Sequence, residues 1–558
     1  MTGGSDRDHH CWQEALQGET TPEAEAHVAD CAVCQRLLRA LQPMTRVRDE
    51  GISPPPPGLD ERVLERVREQ LTVGAMPEAG GRLPRRGGLP ERLGAVRRRP
   101  LLPVAALTPV LGLLFVLLTL GTGTQAAAFT SQCDRLAEDE ILVAGPWKGT
   151  EQERFEEVLD RFEESTGASV AYRHYQDAGQ DPREIATTIE KRISAGCPPD
   201  VALLPQPGLL KDLARRGHLK AIDEVAGKLV KENYRRFWRD LAIARGRGTD
   251  ERALYGVWFK ATNKSTIWYS RSLFARAGVR PPRTWEELLR VARRLEAQGI
   301  APLSVAGRDG WTLTDWFENV YLRTAGPERY DELAVHDRPW TDETVRRALS
   351  RLSELVGRSQ WLAGGTEGAL QTRYEDSVRH VFGASPRAAM VFEGDFMANQ
   401  IVGSTEAEIG RDAAAFPFPA VDGSAPGVIA GGDVAVLLTA NHSAKELIRF
   451  LATPQAAEPW AEAGGFISPN TKVDLAAYPD EIRRGLAKGL MGARNIRFDL
   501  SDQQPPAFGA IPEQGMRRYF RDYLANPRDV DHVDAITQQL ARGATAAQQC
   551  EKANAGQC

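Results

Sequence analysis

From residue 141 onward, short apolar runs alternate with longer amphipathic stretches. Residues 141–145 (ILVAG), 168–175 (ASVAYRHY) and 199–205 (PDVALLP) have strand length and strand composition. Between them, EQERFEEVLDRFEESTG and IATTIEKRISAG space their apolar residues three and four apart, as helices do. In the first of these, Phe155, Val158, Leu159 and Phe162 share one face, and Gly167 stands where a left-handed residue ends a helix. The strand–helix–strand rhythm predicts right-handed parallel crossovers and a doubly wound α/β sheet. Such sheets bind ligands beyond the carboxyl ends of their strands, which fall here at Pro146, Trp147 and Lys148 and at Gln206 and Pro207. No internal repeat is visible.

The pattern before this region is different. Residues 100–133 contain no charged side chain, and 104–121 are apolar enough for a tilted membrane helix. Pro103 and Pro109 fall in its first turns, where a helix in lipid tolerates them best. The run starts too far into the chain for a signal peptide and lacks the polar face of a core helix. Arg82, Arg85, Arg86, Arg92, Arg97, Arg98 and Arg99 precede it, whereas Asp134, Glu138, Asp139 and Glu140 follow. Positive flanks stay in the cytoplasm, so the N-terminus is expected inside and the large region outside. A multidomain chain results, with a small all-α module at 1–45, a cytoplasmic linker at 46–99, a transmembrane helix at 101–123 and a two-lobed α/β domain at 134–558. The linker holds SPPPPG, one amphipathic helix at LDERVLERVREQL, and then Gly, Pro and Arg.

The length of 558 residues agrees with several domains. A net charge of −5 gives no bulk electrostatic case for nucleic acid. The cysteines divide at the apolar run: Cys11, Cys31 and Cys34 precede it, and Cys133, Cys197, Cys550 and Cys558 follow it. Thiols in a reducing compartment beside histidine suit a metal, and four in an oxidising one suit two disulfides. Spacing does not fix the connectivity. Cys133–Cys197 with Cys550–Cys558 is the first pairing to test, because each keeps to nearby chain. Lipidation of Cys133 is disfavoured by its FTSQC context.

On one helix, His27 and Cys31 would share a face, with Cys34 within reach of the same ion. Cys11, beside His9 and His10, lies upstream. Thiolates and imidazole in tetrahedral number favour structural Zn2+, which would hold together a module too small for its own core. A redox switch at the same thiols is the alternative. The run GETTPEAEAHVADCAVCQRLLRAL resembles the zinc-binding anti-sigma domain of bacterial membrane regulators. That resemblance covers about 40 residues. It implies Cys11, His27, Cys31 and Cys34 as ligands and a sigma factor as cytoplasmic partner. The shortened gap before His27 departs from the pattern and leaves His9 or His10 as substitutes for Cys11.

FEEVLDRFEESTGASVAY, PDVALLPQPGLLKDLARRGHL, YGVWFKATNKSTIWYSRSLFARAGVRPPRTWEELL, SPRAAMVFEGDF, GGDVAVLL and ELIRFLATPQAAEPWAEAGGFISPN lie across the large region. Together they resemble the extracellular solute-binding proteins of ABC importers, the sugar-binding group in particular. The resemblance implies two α/β lobes, hinge strands and closure around a ligand. Sugars present apolar C–H faces and hydroxyl edges, so their sites need aromatic platforms with carboxylate, amide and basic groups. Candidates at strand ends and crossings are Trp147, Lys148, Gln206, Lys260, Asn263, Trp311, Asp315, Trp316, Glu393, Asp395, Asp433 and Phe466. Only a minority should touch ligand, since a tryptophan is more often core than platform. Trp285 and Trp460 read as packing. Gly431, Gly432, Gly464 and Gly465 read as positions of close approach or tight turns.

HExxH, GxxxxGK[ST] and GxSxG motifs are absent, and the paired acids Glu393 and Asp395 alone do not make a glycosidase. Binding without catalysis is expected. Two readings follow: a transmembrane sensor whose ligand alters the hold of the inner module on a sigma factor, or a tethered receptor that delivers solute to an ABC permease.

Overall fold

The computed structural model describes residues 128–552, apart from 131, 135, 138, 176–181 and 512–513. The metal cluster at Cys11, His27, Cys31 and Cys34, the linker and the apolar run at 101–123 lie outside the described residues. Among the described residues, no helix is long and apolar enough to cross a membrane.

Among the described residues thirteen strands follow in chain order: β1 Ala128–Phe129, β2 Glu140–Gly145, β3 Ser169–Tyr175, β4 Val201–Leu204, β5 Ile243–Arg245, β6 Arg252–Leu254, β7 Gly256–Asn263, β8 Thr266–Ser270, β9 Ala301–Ser304, β10 Ala388–Glu393, β11 Ala413–Pro417, β12 Gly427–Leu437 and β13 Asn495–Phe498. The three strands and two helices expected between residues 140 and 205 are present. Thr150–Thr166 buries Phe155, Val158, Leu159 and Phe162 and ends at Gly167, at φ 75°. Pro182–Ser194 is the second helix.

Two sheets make two lobes. The first has the order β1-β3-β2-β4-β12-β13, with β7 on the other edge of β12. Its β1–β4 part is parallel, as the crossover rhythm requires, whereas β12 joins β4 antiparallel. The second sheet has the order β11-β8-β10-β9. The chain passes between sheets at Lys264 and Ser265, which separate β7 from β8, and again between β11 and β12.

One helix of the second lobe, Trp311–Ala325, ties both crossings. Its Asn319 donates Nδ2 to the Lys264 carbonyl at 2.8 Å, and its Oδ1 lies 2.6 Å from Ser265 Oγ. Its Arg323 donates to the Gly427 carbonyl at 2.7 Å. Burial pushes the Arg323 guanidinium down to about 9. Cys133 and Cys197 form a disulfide with Cα atoms 5.8 Å apart, which ties the start of the domain to the loop before β4. Cys550 is also disulfide-bonded; Cys558, its expected partner, lies outside the described residues.

Candidate functional site

Where the strands meet, two lysines sit in buried polar surroundings of different make-up. Lys260, on β7, pairs with Glu151 at the start of Thr150–Thr166. Burial works against its charge, but Glu151 and Asp433 outweigh that and raise its pKa above the ordinary lysine value. Asp433, on β12, accepts Trp147 Nε1 at 3.2 Å. Burial pushes the Asp433 carboxyl up to about 6 against the pull of Lys260. The ammonium of Lys260 stands 5.8 Å from the Trp147 ring and 5.2 Å from Trp460. Trp147 meets Phe155 and Trp460 edge to face at 4.7 and 4.8 Å. At 2% exposure, Trp147 has no face left for a ligand.

Lys264, at the crossing itself, meets three carboxylates. It pairs with Asp499 and lies 3.4 Å from Asp315 and 3.6 Å from Asp502. Asp499 also accepts Ser501 Oγ and the Asp502 amide. Burial opposes its charge, yet Lys264 and these donors hold it below the usual carboxylate range. Its neighbours go the other way. Burial raises Asp315 and Glu318 well above the carboxylate range, Glu393 to about 8 and Asp502 to about 6. Among the described residues, neither carboxyl oxygen of Asp315 or of Glu393 has a hydrogen-bond partner.

Asp315, Glu318 and Asp499 bring carboxylate oxygens within 4.8 Å of one another, a spacing a cation could use. Glu318, however, already accepts the amides of Leu500 and Ser501 and the Tyr330 hydroxyl at 2.7–3.0 Å. Lys264 compensates Asp499. The cluster is an ion-paired helix anchor.

Beside this acidic group, Trp311 opens the helix Trp311–Ala325 and is only half-buried. Its ring lies 5.3 Å from Tyr374 and 6.3 Å from Phe396, and Lys264 stands 5.9 Å from it. The Tyr374 hydroxyl is buried without a hydrogen-bond partner. Burial raises its pKa, with Glu393 and Glu151 adding to the effect. Gln206, beyond β4, donates to Asp502 at 2.7 Å and leaves its Oε1 buried and unbonded. A half-open aromatic trio with an unbonded hydroxyl thus stands beside Lys264, whose carboxylate partner Asp502 also accepts from Gln206.

The crossing gathers Gln206, Lys260, Asn263, Trp311, Asp315, Glu393, Asp395 and Asp433. Asn263 donates its amide to Asp395 Oδ1 at 2.5 Å, and burial pushes Asp395 up to about 7. Trp147 belongs to the sealed Lys260 side. Trp316 is a core residue of the second lobe, 4.4 Å from Phe392. Phe466 stacks on Trp460 at 5.0 Å in the first-lobe core. Lys148 is exposed. Trp285 and Trp460 are fully buried, as packing residues should be. Gly465, at φ 70°, lies so close to Asn399 that a Cβ would overlap its side chain. Glu151, Lys264, Tyr374, Phe396, Asp499 and Asp502 were not expected from sequence. Lys264 follows Asn263 within the crossing motif and could have been added. Asp499 and Asp502 sit in DLSDQQP after an unremarkable strand, with no spacing that marks them.

Two lobes with separate sheets, strands that cross between them and polar groups gathered at the crossing define a periplasmic-binding-protein-like fold. The family model described as bacterial extracellular solute-binding protein matches residues 148–458, more than half of the chain. The protein belongs to that family. It is 34% identical over 377 residues to the osmoprotective compounds-binding protein GgtB of Synechocystis sp., covering 66% of this chain and 86% of that one. It is 30% identical over 380 residues to the alpha-glucosides-binding periplasmic protein AglE of Rhizobium meliloti, covering 66% and 81%. A solved chitin oligosaccharide binding protein matches 73% of this chain and 99% of its own, with a TM-score of 0.60 at 17% identity, a likeness of fold.

Proposed function

We propose that the region from Cys133 to the C-terminus captures a small polyhydroxylated solute, of the sugar or compatible-solute class, and presents it to an ABC permease outside the cell. The observation that carries this is the half-open Trp311–Tyr374–Phe396 trio with its unbonded Tyr374 hydroxyl, at a crossing where Gln206 Oε1 and the Glu393 carboxyl are also unbonded. An aromatic face suits the C–H side of a sugar ring, and the unused polar groups suit its hydroxyls. The names of two relatives, one binding osmoprotective compounds and the other alpha-glucosides, agree with that class. Calorimetric titration against maltose, trehalose, sucrose and glycine betaine tests the reading. Binding by at least one, competed by another of its class, supports it; no heat across that panel and a broader sugar set would end it.

The N-terminal sequence favours a further role. The arginine-flanked apolar run would anchor the chain once in the membrane, with Cys11, His27, Cys31 and Cys34 on the cytoplasmic side. A Zn2+ held there would staple a sigma-binding module, and solute outside would alter its grip. Metal analysis of the full chain should give one zinc that His27→Ala removes. A reporter for the sigma factor should respond to solute, and unchanged output on deleting residues 1–45 would leave only the importer receptor.

A further inference from the structure

A cavity of about 380 Å³ opens in the second lobe, lined by none of the residues at the crossing. Arg293, Ser353, Glu354, Arg358, Trp361 and Arg528 form most of its wall. They come from four places in the chain: the helix Trp285–Glu296, the helix Glu343–Val356, the turn Ser359–Trp361 with the residue before it, and the segment ahead of Val530–Lys552.

The charges in this wall are unbalanced. Glu354 is its one carboxylate, and it already accepts Trp285 Nε1 and pairs with Arg351, both at 2.9 Å. Among the described residues, the side chains of Arg293, Arg358 and Arg528 have no hydrogen bond and no ion pair. Arg358 lies 4.8 Å from the Trp361 ring, and its Nε is buried without an acceptor. Trp361 is itself fixed, fully buried and donating Nε1 to Glu296 at 2.8 Å. Arg528 crosses Gly357 so closely that a Cβ there would stand 2.8 Å from its Cγ and Nε. Arg358 is half-buried against Trp361, while Arg293 and Arg528 are exposed at the rim of the same cavity. Three cationic side chains thus line one cavity whose single carboxylate is already engaged, and an oxyanion there would balance them. Guanidinium forks match the oxygen geometry of phosphate, and several can engage one group.

We propose that this cavity is an anion site for a phosphoryl group, separate from the solute cleft, with Arg358 and Arg528 as its main ligands. The group would come either from a free phosphate-type anion or from a phosphodiester headgroup.

The test is titration of the full chain in detergent with inorganic phosphate and, separately, with glycerophosphoglycerol as the headgroup stand-in. Chloride at matched ionic strength is the control. The proposal expects one of the two to bind at least tenfold more tightly than chloride. Tighter binding of phosphate assigns a free anion; tighter binding of the diester assigns a headgroup. Arg358→Gln and Arg528→Gln should each weaken that binding tenfold or more and leave cleft solute binding unchanged. Equal responses to chloride, or undiminished binding in both variants, would overturn it.

Discussion

The two lysines of the crossing lie four residues apart in sequence and in opposite situations. Lys260 faces Glu151 and Asp433, with Trp147 and Trp460 closed around it and an indole N–H already given to Asp433. Lys264 faces Asp315, Asp499 and Asp502, with Glu318 and Glu393 close behind and Trp311 partly open to solvent. The first arrangement has its lysine paired and its aromatic faces covered and, among the described residues, leaves only the Trp460 indole N–H without an acceptor. The second has more acids than one lysine can compensate, holds protons on some of them and leaves polar atoms unused. Closed polar networks specify a core; unfilled ones beside an open aromatic face are suited to a guest.

The comparison can be broken first at the lysines. Lys264→Met leaves Asp499 buried without its cation and should cost about 3–5 kcal/mol in denaturant unfolding. Lys260→Met should cost less, about 1–3 kcal/mol, because Glu151 is 31% exposed and can turn to water, while Trp147 still donates to Asp433. Equal losses would put the two lysines on the same footing. The tryptophans come next. Trp147→Ala should lower stability by about 3–5 kcal/mol, as emptying a tight core site does, whereas Trp311→Ala should cost under about 1 kcal/mol by the same unfolding measurement.

The protons give the smallest effect and a definite sign. Glu393 is raised to about 8 and Asp395 to about 7, so the folded protein keeps protons that the unfolded chain releases near pH 4. Their stabilising contribution is therefore complete below about pH 4 and is lost as pH rises through 7 and 8. Unfolding free energy measured from pH 5 to 8 should fall, by up to about 1.4 kcal/mol per pH unit for each proton released. Glu393→Gln, an uncharged stand-in for the acid, should flatten the upper part of that slope. A slope unchanged by the substitution would place the proton elsewhere.

Much of the first lobe was legible because its periodicity is local. Phe155, Val158, Leu159 and Phe162 mark their helix by spacing alone, and Gly167 marks its end. The antiparallel entry of β12 between β4 and β7 was not legible, since it pairs residues more than 160 positions apart, and more than 200 in the case of β4. The same distance hid Asp499 and Asp502, which reach Lys264 only after the second lobe has returned its chain. Trp147, Trp311 and Trp316 look alike as residues near strand ends or crossings. Packing separates them: Phe155 and Trp460 close over the first, Phe392 and Phe418 over the third, and the second keeps an open face.

Titration calorimetry with a solute that binds the parent protein, applied to Trp311→Ala and to Trp147→Phe, tests the central claim most directly. The sealed-side substitution keeps an aromatic ring and should leave the dissociation constant within about twofold, whereas removal of the open platform should raise it tenfold or more, about 1.4 kcal/mol. Unchanged binding by Trp311→Ala together with a large loss in Trp147→Phe would contradict the account.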